Sequence, residues 1–153
     1  MAAIVRLRDI VDGLEQQSDE SVSFLNLDTG GVETVSLALL DEAEEGEEAG
    51  DLPDWQEAEW ELVKKIVSSE RFVQLPTKFD VHEWAIMESF SCSVRSDRIR
   101  SELVDAIHGG GAFRNFKSTI RRNGIELEWF SFRTEALREI AREWCEENGI
   151  VWE

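Results

Sequence analysis

The 153-residue sequence has no run of about 18 consecutive apolar residues, the length a helix needs to cross a bilayer, so no membrane-spanning helix is expected. Its start, MAAIVRLRDIVDG, has acidic groups where a secretory signal needs an apolar core. A soluble, cytoplasmic protein is therefore expected. Proline occurs only twice, which argues against an extended, linker-rich chain. Cysteine also occurs twice, and Cys92 and Cys145 stand too far apart for a CxxC redox pair or a disulfide framework. Both are expected to be buried thiols.

Catalytic and metal signatures are scarce as well. Of the two histidines, His82 precedes Glu83 as in an HExxH zinc motif, but Ile86 occupies the place of the second histidine ligand. No metal site is expected, and Glu83 reads as a helix cap. There is no GxSxG elbow, and neither cysteine has a partner at a diagnostic spacing. The carboxylates are numerous, but no spacing selects one for acid or base chemistry. The sequence thus points to no catalytic residue and no cofactor, and away from an enzyme.

What the chain does have is negative charge and large apolar side chains. With 42% apolar residues, six tryptophans and eight phenylalanines, it can fill one compact core. The formal charge is −17, unevenly distributed. Residues 1 to 70 carry four basic against 19 acidic groups, a net of −15. Residues 90 to 122 reverse this, with seven basic groups (Arg95, Arg98, Arg100, Arg114, Lys117, Arg121, Arg122) against three acidic, a net of +4. A chain this acidic is repelled by nucleic acid and anionic membranes at long range, unless a basic surface is presented locally.

Periodicity then orders the elements. Ile4, Leu7, Val11 and Leu14 form the apolar stripe of a short helix. VSFLNLDTGGVETVSLALL places β-branched and large apolar residues on both sides of a turn at Asp28 to Gly31, the pattern of a hairpin. The segment from Asp41 to Asp51 holds seven carboxylates and reads as a mobile acidic linker. It lacks the alternating ligands of an EF-hand loop.

A helix is expected from Asp54, with Glu57 at capping-box spacing and Trp55, Ala58, Leu62, Val63, Ile66 and Val67 inward. Phe72, Val73 and Leu75 form an extended connection ended by Pro76. Asp80 and Glu83 are again at capping spacing, before a helix with Val81, Trp84, Ala85 and Phe90 in the core. A further helix uses Ile99, Leu103, Ala106 and Ile107. The last, from Thr134, uses Ala136, Leu137, Ile140, Ala141, Trp144 and Cys145, and stops at Asn148-Gly149. Trp129, Phe130 and Phe132 are expected to close the core upstream of it.

The expected fold class is α+β, mainly α: a helical domain with an N-terminal β-hairpin. Residues 1–40 form the first helix and hairpin, 41–53 the acidic linker and 54–153 the helical core, together one compact domain.

The least ordinary stretch is AIHGGGAFRNFK, Ala106 to Lys117. A glycine-rich turn before a helix can present backbone N–H groups to an anion, with Arg114, Lys117 and Arg121 adding charge and His108 a titratable ring. The GxxxxGK[ST] spacing of a P-loop is absent, as is GxGxxG after a strand. Gly109, Gly110 and Gly111 therefore read first as a sharp bend, followed by a helix with Phe113, Phe116 and Ile120 inward and the cations on its flank.

FLNLDTGGVETV, FVQLPTKFDVHEWAIMESF, AIHGGGAFRNFKSTIRRNGI and EWFSFRTEALREIAREWCEENGI, in this order, resemble the bacterial Uncharacterised Protein Family 0158. The resemblance covers most of the chain outside the acidic linker. It implies a shared fold and central segment, and brings no catalytic residue, cofactor or substrate with it.

The expected function is a non-enzymatic interaction or regulatory module that meets a protein partner near Arg114, Lys117 and Arg121. The alternative is a domain binding an anion, nucleotide or nucleic acid through His108, Gly109, Gly110, Gly111 and the same cations, extended by Arg95, Arg98 and Arg100. Mimicry of nucleic acid by the acidic N-terminal part ranks third. No membrane partner is expected, and no feature specifies an oligomeric state.

Overall fold

The computed structural model describes residues 3–46 and 52–153. The fold is α+β and mainly α, and the chain divides into two compact units, Met1–Asp80 with Ile140–Glu153, and Val81–Glu139. Residues 47–51, the centre of the expected acidic linker, lie outside the described residues.

The first unit is organised by a three-stranded antiparallel sheet in the order β2-β1-β3, with β1 Ser21–Asn26, β2 Val32–Ser36 and β3 Phe72–Gln74. The hairpin is in register Val22↔Val35 and Ser23↔Thr34. Its turn is held by Asn26, whose Oδ1 accepts from the Asp28 and Thr29 amides at 2.9 and 3.3 Å. Gly30 takes the left-handed conformation there, with φ +76°. The extended connection expected at Phe72 to Leu75 becomes β3, paired Leu25↔Val73.

Four consecutive β1 residues, Val22 to Leu25, are buried, so the strand is covered on both faces. Val22, Phe24 and Val35 join Leu39 and Leu40 of α2 (Leu37–Glu44) and Val63 and Ile66 of α3 (Asp54–Ser68). On the other face Ser23 meets α1 (Leu7–Gln16): its hydroxyl contacts the Gly13 carbonyl at 2.9 Å and Thr34 Oγ1 at 2.7 Å. Gly13 permits this approach, since a Cβ there would stand 2.7 Å from Val32 Cγ1.

Several expected boundaries shift for identifiable reasons. Ile4 is exposed and precedes α1, whereas Val5 is buried in a parallel bridge to Trp152. The second strand ends at Ser36 rather than Leu40, because LALLDEAE is rich in strong helix formers and forms α2. The helix thus extends over Asp41 to Glu44, where a mobile linker is expected. In α3 the inward face is rotated: Val63 and Ile66 are buried, while Trp55, Ala58 and Val67 are exposed. Glu59 turns inward, accepting from the Ser36 amide at 2.7 Å. Pro53, not Asp54, stands at the N-cap, without a side-chain cap bond.

A capping box does occur, one step upstream of the expected pair. Thr77 donates its amide to Asp80 at 2.9 Å and accepts from the Asp80 amide at 3.3 Å, flanking the single turn α4 (Lys78–Val81).

The second unit consists of α5 (Glu83–Ser93), α6 (Asp97–Ile107), α7 (Ala112–Arg122) and α8 (Glu126–Glu147) as far as Glu139. Its centre is aromatic. Phe116 lies edge-on to Trp129 at 4.7 Å, and Phe90 meets Trp129 and Phe132 at 5.4 Å each. Glu83 is not a cap but pairs with Arg133, and the N-cap is His82 in a left-handed conformation, φ 52°. Trp84 and Ala85 are exposed rather than core. Helix α8 begins at Glu126, eight residues before the expected start, so Trp129 and Phe132 pack from within it and Phe130 faces outward.

Schellman-type bonds close α7 and α8. Ile125 donates to the Ile120 carbonyl at 3.0 Å and Ile150 to the Cys145 carbonyl at 2.8 Å, around left-handed Gly124 and Gly149. Of the two cysteines, Cys145 is buried as expected and Cys92 is exposed. Burial, and secondarily the charge of Glu146, pushes the Cys145 thiol up to about 11. Native protein at pH 8 should therefore show fast labelling of one thiol by a disulfide reagent. Cys92→Ser should abolish that fast phase, while Cys145→Ser should leave it intact.

Candidate functional site

The site suggested by the sequence lies wholly within the second unit, at the junction of α6 and α7. Helix α6 opens with Ser96, whose hydroxyl accepts from the Ile99 amide, and ends at His108. The His108 ring bonds through Nδ1 to the Val104 carbonyl at 2.6 Å and stands edge-on to Trp84 at 5.7 Å. Trp84 in turn donates its indole N–H to the Ile107 carbonyl at 3.0 Å. These two rings satisfy carbonyls that the helix end leaves without backbone partners. That local role is structural.

The three glycines differ in what they require. Gly109 and Gly110 have no positive φ, and a Cβ at either would meet nothing within 4 Å. Gly111 is the N-cap of α7 and is left-handed, with φ +73°. Asn115 ties the turn to the helix, its side chain donating to the Gly110 carbonyl at 3.1 Å and its amide to the Gly111 carbonyl at 2.9 Å. The Arg114 guanidinium folds back towards Gly111, where a Cβ would stand 3.3 Å from its Nη2.

Helix α7 separates its faces sharply. Phe116, Thr119 and Ile120 are buried, with the Thr119 hydroxyl donating to the Asn115 carbonyl at 2.8 Å. Arg114, Lys117 and Arg121 are all exposed. At about 100° per residue the three cations fall within roughly 60° of one another, and at 1.5 Å rise they span about 10 Å. Phe113, expected in the core, is instead 50% exposed and borders the cations. The inward stripe is centred on Phe116 and Thr119, which rotates Phe113 to its edge. Thr119 was missed because its polarity hides it from an apolar count.

The other basic residues are largely committed elsewhere. Glu102 accepts from Arg98 at 3.1 Å, from Arg122 at 3.4 Å and from Asn123 at 3.0 Å. The Asn123 bond, aided by both arginines and opposed by desolvation, holds the Glu102 carboxyl below its ordinary range. This network is at full strength at neutral pH and is lost in acid, as pH falls through that lowered value. Arg100 pairs with Asp97 and donates to the Val94 carbonyl at 2.9 Å. By contrast, Arg114, Lys117 and Arg121, and likewise Arg95 between α5 and α6, are exposed and have no ion pair among the described residues. No group of three or more potential metal ligands occurs among the described residues. No described helix is long and apolar enough to cross a membrane.

The fold and this junction define a mainly helical α+β protein that displays a short basic stripe on one helix. Residues 2–152 match the family described as Uncharacterised protein family (UPF0158), and the chain belongs to it. No curated protein and no solved structure gives a significant match.

The glycine geometry has a direct test in chemical denaturation. Gly111→Ala should cost about 1–2 kcal/mol, the penalty for a left-handed L-residue. Gly109→Ala and Gly110→Ala should each stay within about 0.5 kcal/mol of the parent.

Proposed function

We propose that the protein is a non-enzymatic cytoplasmic interaction module whose α7 stripe docks onto an acidic surface of a protein partner. The observation that carries this reading is the exposure of Arg114, Lys117 and Arg121 on one flank, without described ion pairs, beside half-exposed Phe113. Clustered cations speed and select association with an acidic patch, and an aromatic ring at their edge adds apolar contact area. The −15 charge of residues 1 to 70 further favours a partner met through this basic helix over one approached at random, because like charges repel elsewhere.

The same stripe supports a second reading, binding of an anion or single-stranded nucleic acid, because cations beside an exposed ring suit phosphates and a stacked base. His108 and Gly109–Gly111 would then take part as the adjoining turn. The overall charge of −17 opposes it.

Affinity capture from native cells should recover a partner with the parent protein and lose it with Arg114→Glu/Lys117→Glu/Arg121→Glu. A recovered complex should weaken about tenfold or more in the variant and with added salt. Equal capture by parent and variant would sink the proposal, and salt-sensitive binding of RNA or DNA in place of a protein would favour the second reading. Unchanged helical circular dichroism of the variant keeps the comparison sound, since all three side chains are exposed.

A further inference from the structure

The two compact units differ sharply in charge. Met1–Asp80 with Ile140–Glu153 carries seven basic against 24 acidic residues, a net of −17, whereas Val81–Glu139 carries nine of each and is neutral. The net charge of the chain therefore belongs wholly to the first unit. The α7 stripe, by contrast, stands on a unit with no excess of either sign.

Within the first unit, one helix face matches that stripe residue for residue. Asp54, Glu57 and Glu61 are exposed on α3 at the spacing i, i+3, i+7. Arg114, Lys117 and Arg121 have the same spacing on α7. At about 100° and 1.5 Å per residue, each trio falls within roughly 60° and spans about 10 Å. Asp54 and Glu57 have no ion pair among the described residues. Glu61 pairs with Lys64 at 2.8 Å, with both side chains open to water, and such a pair is weak.

Acids in a first helical turn also favour the helix dipole, so charge alone does not mark this face. Trp55 does. It directly follows Asp54 and, at 73% exposure, is the most exposed of the six tryptophans. Exposed tryptophans beside a charged rim are typical anchors of protein contacts. Its position also selects one orientation. Trp55 lies about +100° from Asp54, and Phe113 about −100° from Arg114. When two helices run parallel with their stripes facing, offsets of opposite sign fall on the same side. Parallel docking of α7 on α3 therefore sets three cations against three carboxylates and brings the two exposed rings together. Antiparallel docking sends the rings to opposite sides.

We propose that the acidic surface met by the α7 stripe is α3 of a second copy of this chain, so that the protein self-associates head to tail. This inference rests on the reading of α7 as a docking stripe and names its partner. Two first units repel each other at −17 apiece, so contact between like units is disfavoured. The neutral second unit meets no such repulsion. Arg114 faces Asp54, Lys117 faces Glu57 and Arg121 faces Glu61, while Trp55 and Phe113 supply the apolar anchor.

Sedimentation of the full chain from micromolar to millimolar concentration should show a mass that rises above that of the monomer. Arg114→Glu/Lys117→Glu/Arg121→Glu and Asp54→Lys/Glu57→Lys/Glu61→Lys should each weaken self-association about tenfold or more. An equimolar mixture of the two variants should associate again, because each supplies the charge that the other's altered face requires, although both remain net negative. Asp54→Asn/Glu57→Gln/Glu61→Gln and Trp55→Ala should weaken association in the same direction, and they decide the matter where the lysine variant loses helical circular dichroism. A parent that stays monomeric overturns the proposal. So does self-association that neither stripe nor Trp55 affects, or a mixture of two folded variants that fails to associate. A monomeric chain that captures a different protein through α7 overturns this inference alone and leaves the docking reading standing.

Discussion

Strand β1 is covered on both faces, and this burial constrains the elements around it in the first unit. A strand enclosed in this way must satisfy its polar groups within the protein. Ser23, wholly buried, does so through the Gly13 carbonyl and Thr34, while its amide donates to Gln17 Oε1 at 3.0 Å. Gln17 then donates to the Pro76 carbonyl at 2.7 Å. One buried serine thus links helix α1, the hairpin and the chain leaving β3. Gly13 follows from the same requirement, because only a residue without Cβ lets α1 approach this closely.

Charge imposes a second order on the molecule. Acidic groups outnumber basic ones 33 to 16, so carboxylates are abundant partners for most cations. Glu102 gathers Arg98, Arg122 and Asn123, and Asp97 takes Arg100. These exposed pairs add little stability individually, but they neutralise part of the basic segment. Arg114, Lys117 and Arg121 have no ion pair among the described residues, and their helix buries Phe116, Thr119 and Ile120 while turning another flank to water. The basic stripe is a consequence of packing as much as of composition.

Much of the architecture was legible from periodicity. The apolar stripes of α1, α6 and the C-terminal half of α8, the hairpin turn and the glycine stops all follow from local rules that act within a few residues. The departures cluster where a tertiary partner overrides a local preference. Glu59 faces inward because it meets the Ser36 amide, and α3 rotates with it, leaving Trp55 outside. Glu83 is drawn from a capping position by Arg133, fifty residues away. No spacing rule encodes such a pair.

Sequence alone determined that this is an acidic, mainly helical α+β chain with a locally basic segment around a glycine bend, and its ordered blocks already marked the family. Those properties rest on composition, short-range periodicity and backbone sterics, which do not depend on distant residues. Only the tertiary structure decided which of the seven cations are exposed without an ion pair among the described residues, that Gly111 alone of the three adjacent glycines is left-handed, and that His108 closes a helix end. It also brought Leu75 and Asp80 beside Ile140, Glu143, Trp144 and Glu147, some 60 residues later in the chain. Exposure and long-range proximity are properties of the packed chain, because each depends on which other surface arrives to cover or face a residue.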